Sequence, residues 1–79
     1  MKTQKQLLTD FYYLLDKNDL TKKQGSLLLG YKNQANLTHL KRGYIKISLG
    51  KRIIITLLMY LDESDHFGKI IKDVLRLKN

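Results

Sequence analysis

The sequence predicts an all-α protein, a compact bundle of five helices in a single domain spanning residues 1–79. Three observations predict this class. Apolar residues recur at spacings of three and four along most of the chain, helix-capping signals recur between these stretches, and no proline interrupts them. A chain of 79 residues has room for one domain with a modest core.

The first two helices each begin with a predicted capping box. Thr3 and Gln6 have the right spacing for one, ahead of an apolar stripe. Thr21 begins another, and Gly30 stands where a left-handed residue ends a helix, so the second helix is predicted over residues 22–29. The stripe of the first helix consists of Leu7, Leu8, Phe11, Leu14 and Leu15.

A third helix is predicted over residues 34–42, with Asn33 as its N-cap and Gly43 as its end. Residues 44–47 alternate in polarity like a strand, but the chain offers no second strand to pair with them. We therefore predict that they form a loop. Ser48 then follows as the N-cap of the next helix.

The fourth helix is predicted to run from Ser48 through Leu61. A fifth is predicted to begin at Ser64 or Asp65 and to occupy about residues 65–78. Its apolar stripe consists of Phe67, Ile70, Ile71, Val74 and Leu77.

Carboxylates are absent from the whole interval between Asp19 and Asp62. The flanks hold seven basic and seven acidic residues, so the net charge of +8 arises in this interval. Such a one-signed segment favours a polyanionic partner, with nucleic acid as the first candidate and a solvated basic face as the alternative. The basic residues of the interval are Lys22, Lys23, Lys32, Lys41, Arg42, Lys46, Lys51 and Arg52.

Residues 21–43 have the form of a helix-turn-helix. Gly25 and Ser26 supply small residues through which its two helices can cross closely, and Leu37 and Leu40 are predicted to anchor the second helix in the core. The opposite side of that helix has the amide, methyl and guanidinium groups that read base edges in a major groove. It presents Gln34, Ala35, Thr38, His39 and Arg42.

Two stretches of this segment, TKKQGSLLLG at 21–30 and NLTHLKRG at 36–43, resemble the lambda-repressor-like (Cro/cI-type) DNA-binding domains. One helix before the motif and two after it also fit that family. The resemblance implies a bundle of that type, with the second motif helix in the major groove and a dimer on a palindromic operator. Three features depart from the family pattern: Tyr31 follows the turn glycine, Leu37 lies one residue later than usual, and Ser26 replaces an alanine.

The helical wheel and the resemblance together predict the DNA contacts. Base contacts are expected from Asn33, Gln34, Ala35, Thr38, His39 and Arg42. Backbone contacts are expected from Lys22, Lys23, Lys32, Lys41, Tyr44, Lys46, Ser48, Lys51 and Arg52. For Tyr31 and Tyr44, packing of the rings over the motif is the alternative to a phosphate contact.

The fourth helix is apolar nearly all round, with Leu49, Ile53, Leu57 and Tyr60 on one face and Ile55, Leu58 and Met59 on another. Such a helix is either central in its domain, covered by the first and fifth helices, or shared with a partner. The C-terminal helix is a second candidate dimer surface. A symmetric homodimer would present two recognition helices about 34 Å apart. Its candidate interface residues are Ile55, Met59, Phe67, Val74, Leu75 and Leu77.

These features predict a cytoplasmic, sequence-specific regulator that binds double-stranded DNA. The resemblance points to a small repressor or autoregulator of a phage, plasmid or mobile-element operon. No catalytic, cofactor-binding or metal-binding pattern occurs in the sequence, so we predict that the protein is not an enzyme, and we expect no membrane or small-molecule partner. The alternatives are a protein-binding module on the same scaffold (antitoxin-like or an inhibitor), a non-specific nucleic-acid binder, and an RNA binder.

Overall fold

The computed structural model describes residues 2–78, which form five α-helices and no strand. The all-α class and the number and order of the helices are as predicted. No helix among these residues is long and apolar enough to cross a membrane. The helices are α1 (Gln4–Lys17), α2 (Lys22–Leu28), α3 (Gln34–Arg42), α4 (Leu49–Glu63) and α5 (Phe67–Lys78).

Local hydrogen bonds begin the first four helices as the sequence predicted, whereas α2 ends one residue earlier than predicted and α4 runs two residues past the predicted end at Leu61. Thr3 and Thr21 each complete a capping box with the glutamine three residues later. The side chains of Asn33 and Ser48 cap α3 and α4. The glycines that follow α2 and α3 have φ of +86° and +78°, a conformation that glycine adopts without a steric penalty.

The predicted start of the fifth helix was wrong. Asp65 adopts a left-handed conformation with φ of +62°, and the His66 N–H donates a hydrogen bond to the Leu61 carbonyl at 3.0 Å. This is the bond that closes a left-handed helix C-terminus. Ser64 and Asp65 therefore end α4, and α5 begins at Phe67.

Apolar side chains from all five helices meet in one core, in which α1 packs against α2, α3 and α4, while α5 packs against α2 and α4. The predicted stripe of α1 and both predicted anchors of α3 are buried. The stripe of α5 is buried only in part, because Ile70 and Leu77 remain exposed. The buried apolar residues are Leu7, Leu8, Phe11, Leu14, Leu15, Leu28, Leu29, Leu37, Leu40, Ile47, Ile55, Leu58, Phe67 and Ile71.

The orientation of α4 corrects the predicted dimer surface. Ile55 and Phe67 were candidate interface residues, but they are 0% and 2% exposed because the helices bury them in the core. Met59, Val74 and Leu75 pack partly against the same core, and Leu77 alone of the six is fully exposed. The face of α4 that stays open is the opposite one.

Gly25 lets α2 approach α1. A Cβ at this position would lie 2.5 Å from Cδ1 of Leu15, a side chain that is itself buried. The sequence predicted that Gly25 would serve the crossing of α2 with α3. The close contact is instead with α1, since Gly25 lies on the side of α2 that faces Leu15.

Gly25→Ala is expected to lower the free energy of unfolding by about 1 kcal/mol. The overpacking cost of roughly 1–3 kcal/mol exceeds the gain of about 1 kcal/mol in helix propensity. Urea unfolding followed by circular dichroism measures the change. Gly68→Ala in α5 is the matched control, because a Cβ there meets nothing within 4 Å and no loss is expected. A Gly25→Ala variant at least as stable as the parent would contradict the close contact.

An ion pair joins the C-terminal ends of α1 and α4. Lys17 Nζ lies 2.9 Å from Asp62 Oδ2, and the Asn18 side-chain amide donates to Asp62 Oδ1 at 3.2 Å. The hydrogen bond from Lys17 lowers the pKa of the Asp62 carboxyl, outweighing the opposing effect of burial. The ionised carboxylate therefore stabilises the fold above the unfolded-state pKa of about 3.9. This stabilisation is lost as the pH falls through the lowered pKa of the folded state.

Asp62→Asn is expected to reduce the loss of stability between about pH 7 and about pH 3, because the variant has no carboxyl to protonate at this site. Unfolding free energies at the two pH values measure the difference. Asp73→Asn, on the exposed side of α5, is expected to keep the parent's pH dependence. A parent-like loss in Asp62→Asn would show that the pair contributes nothing to acid sensitivity.

Candidate nucleic-acid interface

The core contacts of α3 determine which of its side chains face outward. Leu37 and Leu40 are both 0% exposed, so the opposite side of the helix is turned to solvent. Of the predicted base-contacting residues, Thr38 is half-buried and the other five are exposed: Asn33, Gln34, Ala35, His39 and Arg42. Their contact with bases stays a prediction, and five of the six side chains are open to solvent.

Asn33 already uses one of its polar atoms within the fold. Its Oδ1 accepts a hydrogen bond from the Ala35 N–H at 2.8 Å and so caps α3. The amide NH₂ group, a donor, and one lone pair of Oδ1 remain for a ligand. The capping role therefore occupies part of the hydrogen-bonding capacity of Asn33.

Gln4 fixes the backbone that follows α3. Its Nε2 donates to the carbonyls of Leu40 and Ile45, both at 2.9 Å, and its Oε1 accepts from the Ile47 N–H at 2.9 Å. The Ile47 side chain is also buried in the core. These contacts tie the first turn of α1 to the end of α3 and to the loop, which presents Lys46 to solvent.

A basic groove of about 750 Å³ lies between the first turn of α1 and the end of α3. Four of its lining side chains are cationic and none is acidic, so its field attracts anions. Lys5 is one of the four and was not among the predicted contacts, because it lies in α1, far from the motif in sequence. The lining residues are Gln4, Lys5, Leu40, Lys41, Arg42, Gly43, Tyr44, Ile45 and Lys46.

Two of the predicted contact residues form an aromatic pair beside this groove. The ring centroids of His39 and Tyr44 are 6.0 Å apart with the planes tilted by 47°. The Tyr44 N–H donates to the His39 carbonyl at 2.9 Å, which keeps the two residues together. Tyr44 is 70% exposed, so its hydroxyl group can donate a hydrogen bond to a bound molecule.

Tyr12 of α1 packs beside the motif. The ammonium groups of Lys22 and Lys41 each lie 5.6 Å from its ring centroid, within the range of a cation–π interaction. Burial raises the pKa of the Tyr12 hydroxyl, and the neighbouring Thr38 and Arg42 side chains act in the opposite direction. The ring therefore lies close to side chains from both helices of the motif.

The first turn of α4 meets the turn of the motif. Lys51 Nζ lies 4.9 Å from the Tyr31 ring centroid and 3.1 Å from the point that a Cβ at Gly30 would occupy. For Tyr31, this packing agrees with the alternative to a phosphate contact. Arg52, also a predicted contact, is directed elsewhere: its Nη1 donates to the Lys2 carbonyl at 3.2 Å.

The remaining predicted backbone contacts, Lys23, Lys32 and Ser48, are exposed. The Ser48 hydroxyl oxygen already accepts a hydrogen bond from the Lys51 N–H at 3.2 Å. The capping role therefore occupies part of its capacity, as it does for Asn33.

Acidic side chains are concentrated away from α3. Asp10, Asp62 and Glu63 line a separate groove between α1 and α4. Two of them pair with Lys2 and Lys17, which belong to the flanks of the sequence. Within the described part of the chain, no basic residue between Asp19 and Asp62 forms an ion pair.

Three residues of this region have no signal in the sequence that marks them as part of a site. Gln4 occupies an ordinary first-turn position, and its partners lie 36 to 43 residues away. Lys5 is one of the flanking cations that balance the flanking acids. Tyr12 lies beside the apolar stripe of α1, where a half-buried tyrosine is common.

Comparison of the chain with protein-family models, with curated protein sequences and with solved structures found no match. Proposals about function therefore rest on the geometry of α3, the loop and the basic groove.

Gln4→Ala is expected to lower the free energy of unfolding by about 1–3 kcal/mol, since it leaves the Leu40 carbonyl and the Ile47 N–H without their partner. It should also speed hydrogen exchange at the Ile47 amide relative to amides inside α1. Urea unfolding and amide exchange measure the two effects.

Gln34→Ala is the matched control, because this glutamine is exposed and makes no hydrogen bond through its side chain among the described residues. Parent-like stability and Ile47 exchange in Gln4→Ala would show that the three bonds do not hold the loop.

Proposed function

We propose that the protein is a sequence-specific regulator that binds double-stranded DNA through a lambda-repressor-like helix-turn-helix domain, with α3 in the major groove. One observation carries this proposal. The exposed polar side of α3 lies beside a groove lined by four cations and no carboxylate. Base-reading groups next to a phosphate-binding surface are what direct readout requires.

The groups on α3 have the chemistry to read bases. Gln34, Thr38 and Arg42 follow one another at spacings of four, so they form one stripe along α3, exposed at Gln34 and Arg42 and half-buried at Thr38. An amide matches the N6 and N7 edge of adenine, a guanidinium matches O6 and N7 of guanine, and the threonine methyl matches the thymine methyl. The nine residues of α3 extend over about 13 Å, a length that fits the major groove of DNA.

The groove and loop supply the phosphate contacts. Lys5, Lys41 and Lys46 come from three different segments but line the same depression. The Tyr44 hydroxyl lies at its edge as a neutral donor. Such contacts orient the protein on the duplex, and the counterions they release make the affinity depend steeply on salt.

Occupancy of a promoter by such a domain would block transcription directly. We therefore favour a repressor or autoregulator of a small phage, plasmid or mobile-element operon, as the resemblance of the motif implies. The position of the DNA site would determine which gene is regulated.

Selection from random duplexes, followed by binding at two salt concentrations, tests the proposal. A single consensus with a steep inverse salt dependence is the expected result. Thr38→Ala and Gln34→Ala should change the preferred base at one position each, at a cost of about 1–3 kcal/mol on the parent site.

Lys46→Ala should weaken binding about equally on all sequences and reduce the salt slope by about one unit. Lys69→Ala, an exposed lysine of α5, is the matched control and should leave binding unchanged. Salt-sensitive binding without a consensus would make the protein a non-specific binder, and no binding to any duplex would favour a protein-binding module instead.

A further inference from the structure

One side of α4 is apolar, open and unused by the fold or by the proposed DNA interface. Leu49, Ile53, Leu57 and Tyr60 are 73%, 50%, 57% and 69% exposed. Their spacings of four, four and three place them on one stripe of the helix, which we call the α4 stripe. Large apolar side chains in such a contiguous patch are unusual on a monomer surface and mark interaction sites.

A groove of about 560 Å³ runs along the α4 stripe, bounded on its other side by the N-terminal segment. Leu7 and Met59 contribute to its floor, and both also contact the core. Part of the groove is therefore formed by well-packed side chains, as in the core of an interface between folded partners.

Opposite charges on either side of Ile53, Leu57 and Tyr60 indicate what covers the stripe, while Leu49 lies one turn beyond the first of them. Arg52 and Glu63 line the same groove and lie about three helical turns apart on the same flank of α4. Among side chains that the structure describes, Glu63 has no ion-pair partner. When a second copy of the helix is placed antiparallel, the cation of each copy faces the anion of the other, and the apolar residues between them face each other.

We propose that the α4 stripe binds a second copy of this chain, with the two α4 helices antiparallel about a two-fold axis near residues 57 and 58. In this arrangement Arg52 of each copy meets Glu63 of the other, on the same side of the helix pair. The two ion pairs lie about 16 Å apart and flank the apolar centre. A parallel arrangement would place like charges at each end and make neither pair.

This interface is isologous, so one surface serves both copies, as in most homodimers. It differs from the surface expected from the sequence, which combined the inner side of α4 with the C-terminal helix. The proposal does not depend on DNA binding, and the experiment that tests it is done without DNA.

Sedimentation equilibrium of the full chain over a range of concentrations tests the proposal. The parent is expected to reach twice its 9.3 kDa mass. Leu57→Glu should weaken dimerisation by at least about tenfold, because a carboxylate would be buried without a partner at the centre of the interface. Circular dichroism should show an intact helical fold, since Leu57 lies outside the core.

Leu77→Glu is the matched control, because it places the same charge at an exposed leucine of α5 that is 86% exposed. It should leave the dimer intact. A parent that remains monomeric at all concentrations, or a dimer that Leu77→Glu disrupts and Leu57→Glu does not, would overturn the proposal.

Charge exchange tests the antiparallel arrangement. Arg52→Glu alone and Glu63→Arg alone should each weaken the dimer, because each creates two like-charged contacts. The double variant R52E/E63R should recover most of the parent's dimerisation constant. If the double variant lost as much dimerisation free energy as the two single variants together, the antiparallel arrangement would be overturned.

Discussion

The side chain of Gln4 joins the parts of the protein on which its proposed activity depends. With one amide group it binds the last turn of α3 and both sides of the loop that follows. Backbone polar groups that face the protein interior must find partners, and here α1 supplies them. The relative position of α3, Tyr44 and Lys46 is therefore determined by a helix outside the motif, together with the burial of Ile47.

Two surfaces of different character follow from this arrangement. One is basic and polar and combines α3, the loop and the start of α1. The other is the apolar α4 stripe together with Arg52 and Glu63 on its flank. Helix α4 carries the second surface through Leu57 and also contacts the turn of the motif through Lys51. The acidic groove lies between α1 and α4, so its carboxylates are at a distance from α3.

The sequence predicted the features that arise from neighbouring residues. Capping boxes at Thr3 and Thr21 and the left-handed glycines involve contacts within four or five positions, so the pattern reveals them. The start of α5 was missed because Asp65 adopts a left-handed conformation that glycine or asparagine more often adopts. The open side of α4 was misassigned because a helix apolar nearly all round has no pattern that distinguishes inside from outside. Gln4, Lys5 and Tyr12 join the site through contacts distant in sequence, which periodicity does not detect.

Titration of the ¹⁵N-labelled protein with a mixed-sequence duplex at low salt tests the central claim most directly. Amide resonances of α3, of Tyr44 and Lys46, and of Lys5 in the first turn of α1 should shift together as DNA is added. Resonances of the acidic groove near Asp10 and Asp62 should not move. Shifts confined to α4 and α5, or no shifts at any DNA concentration, would contradict the assignment of α3 and its loop as a DNA-binding surface.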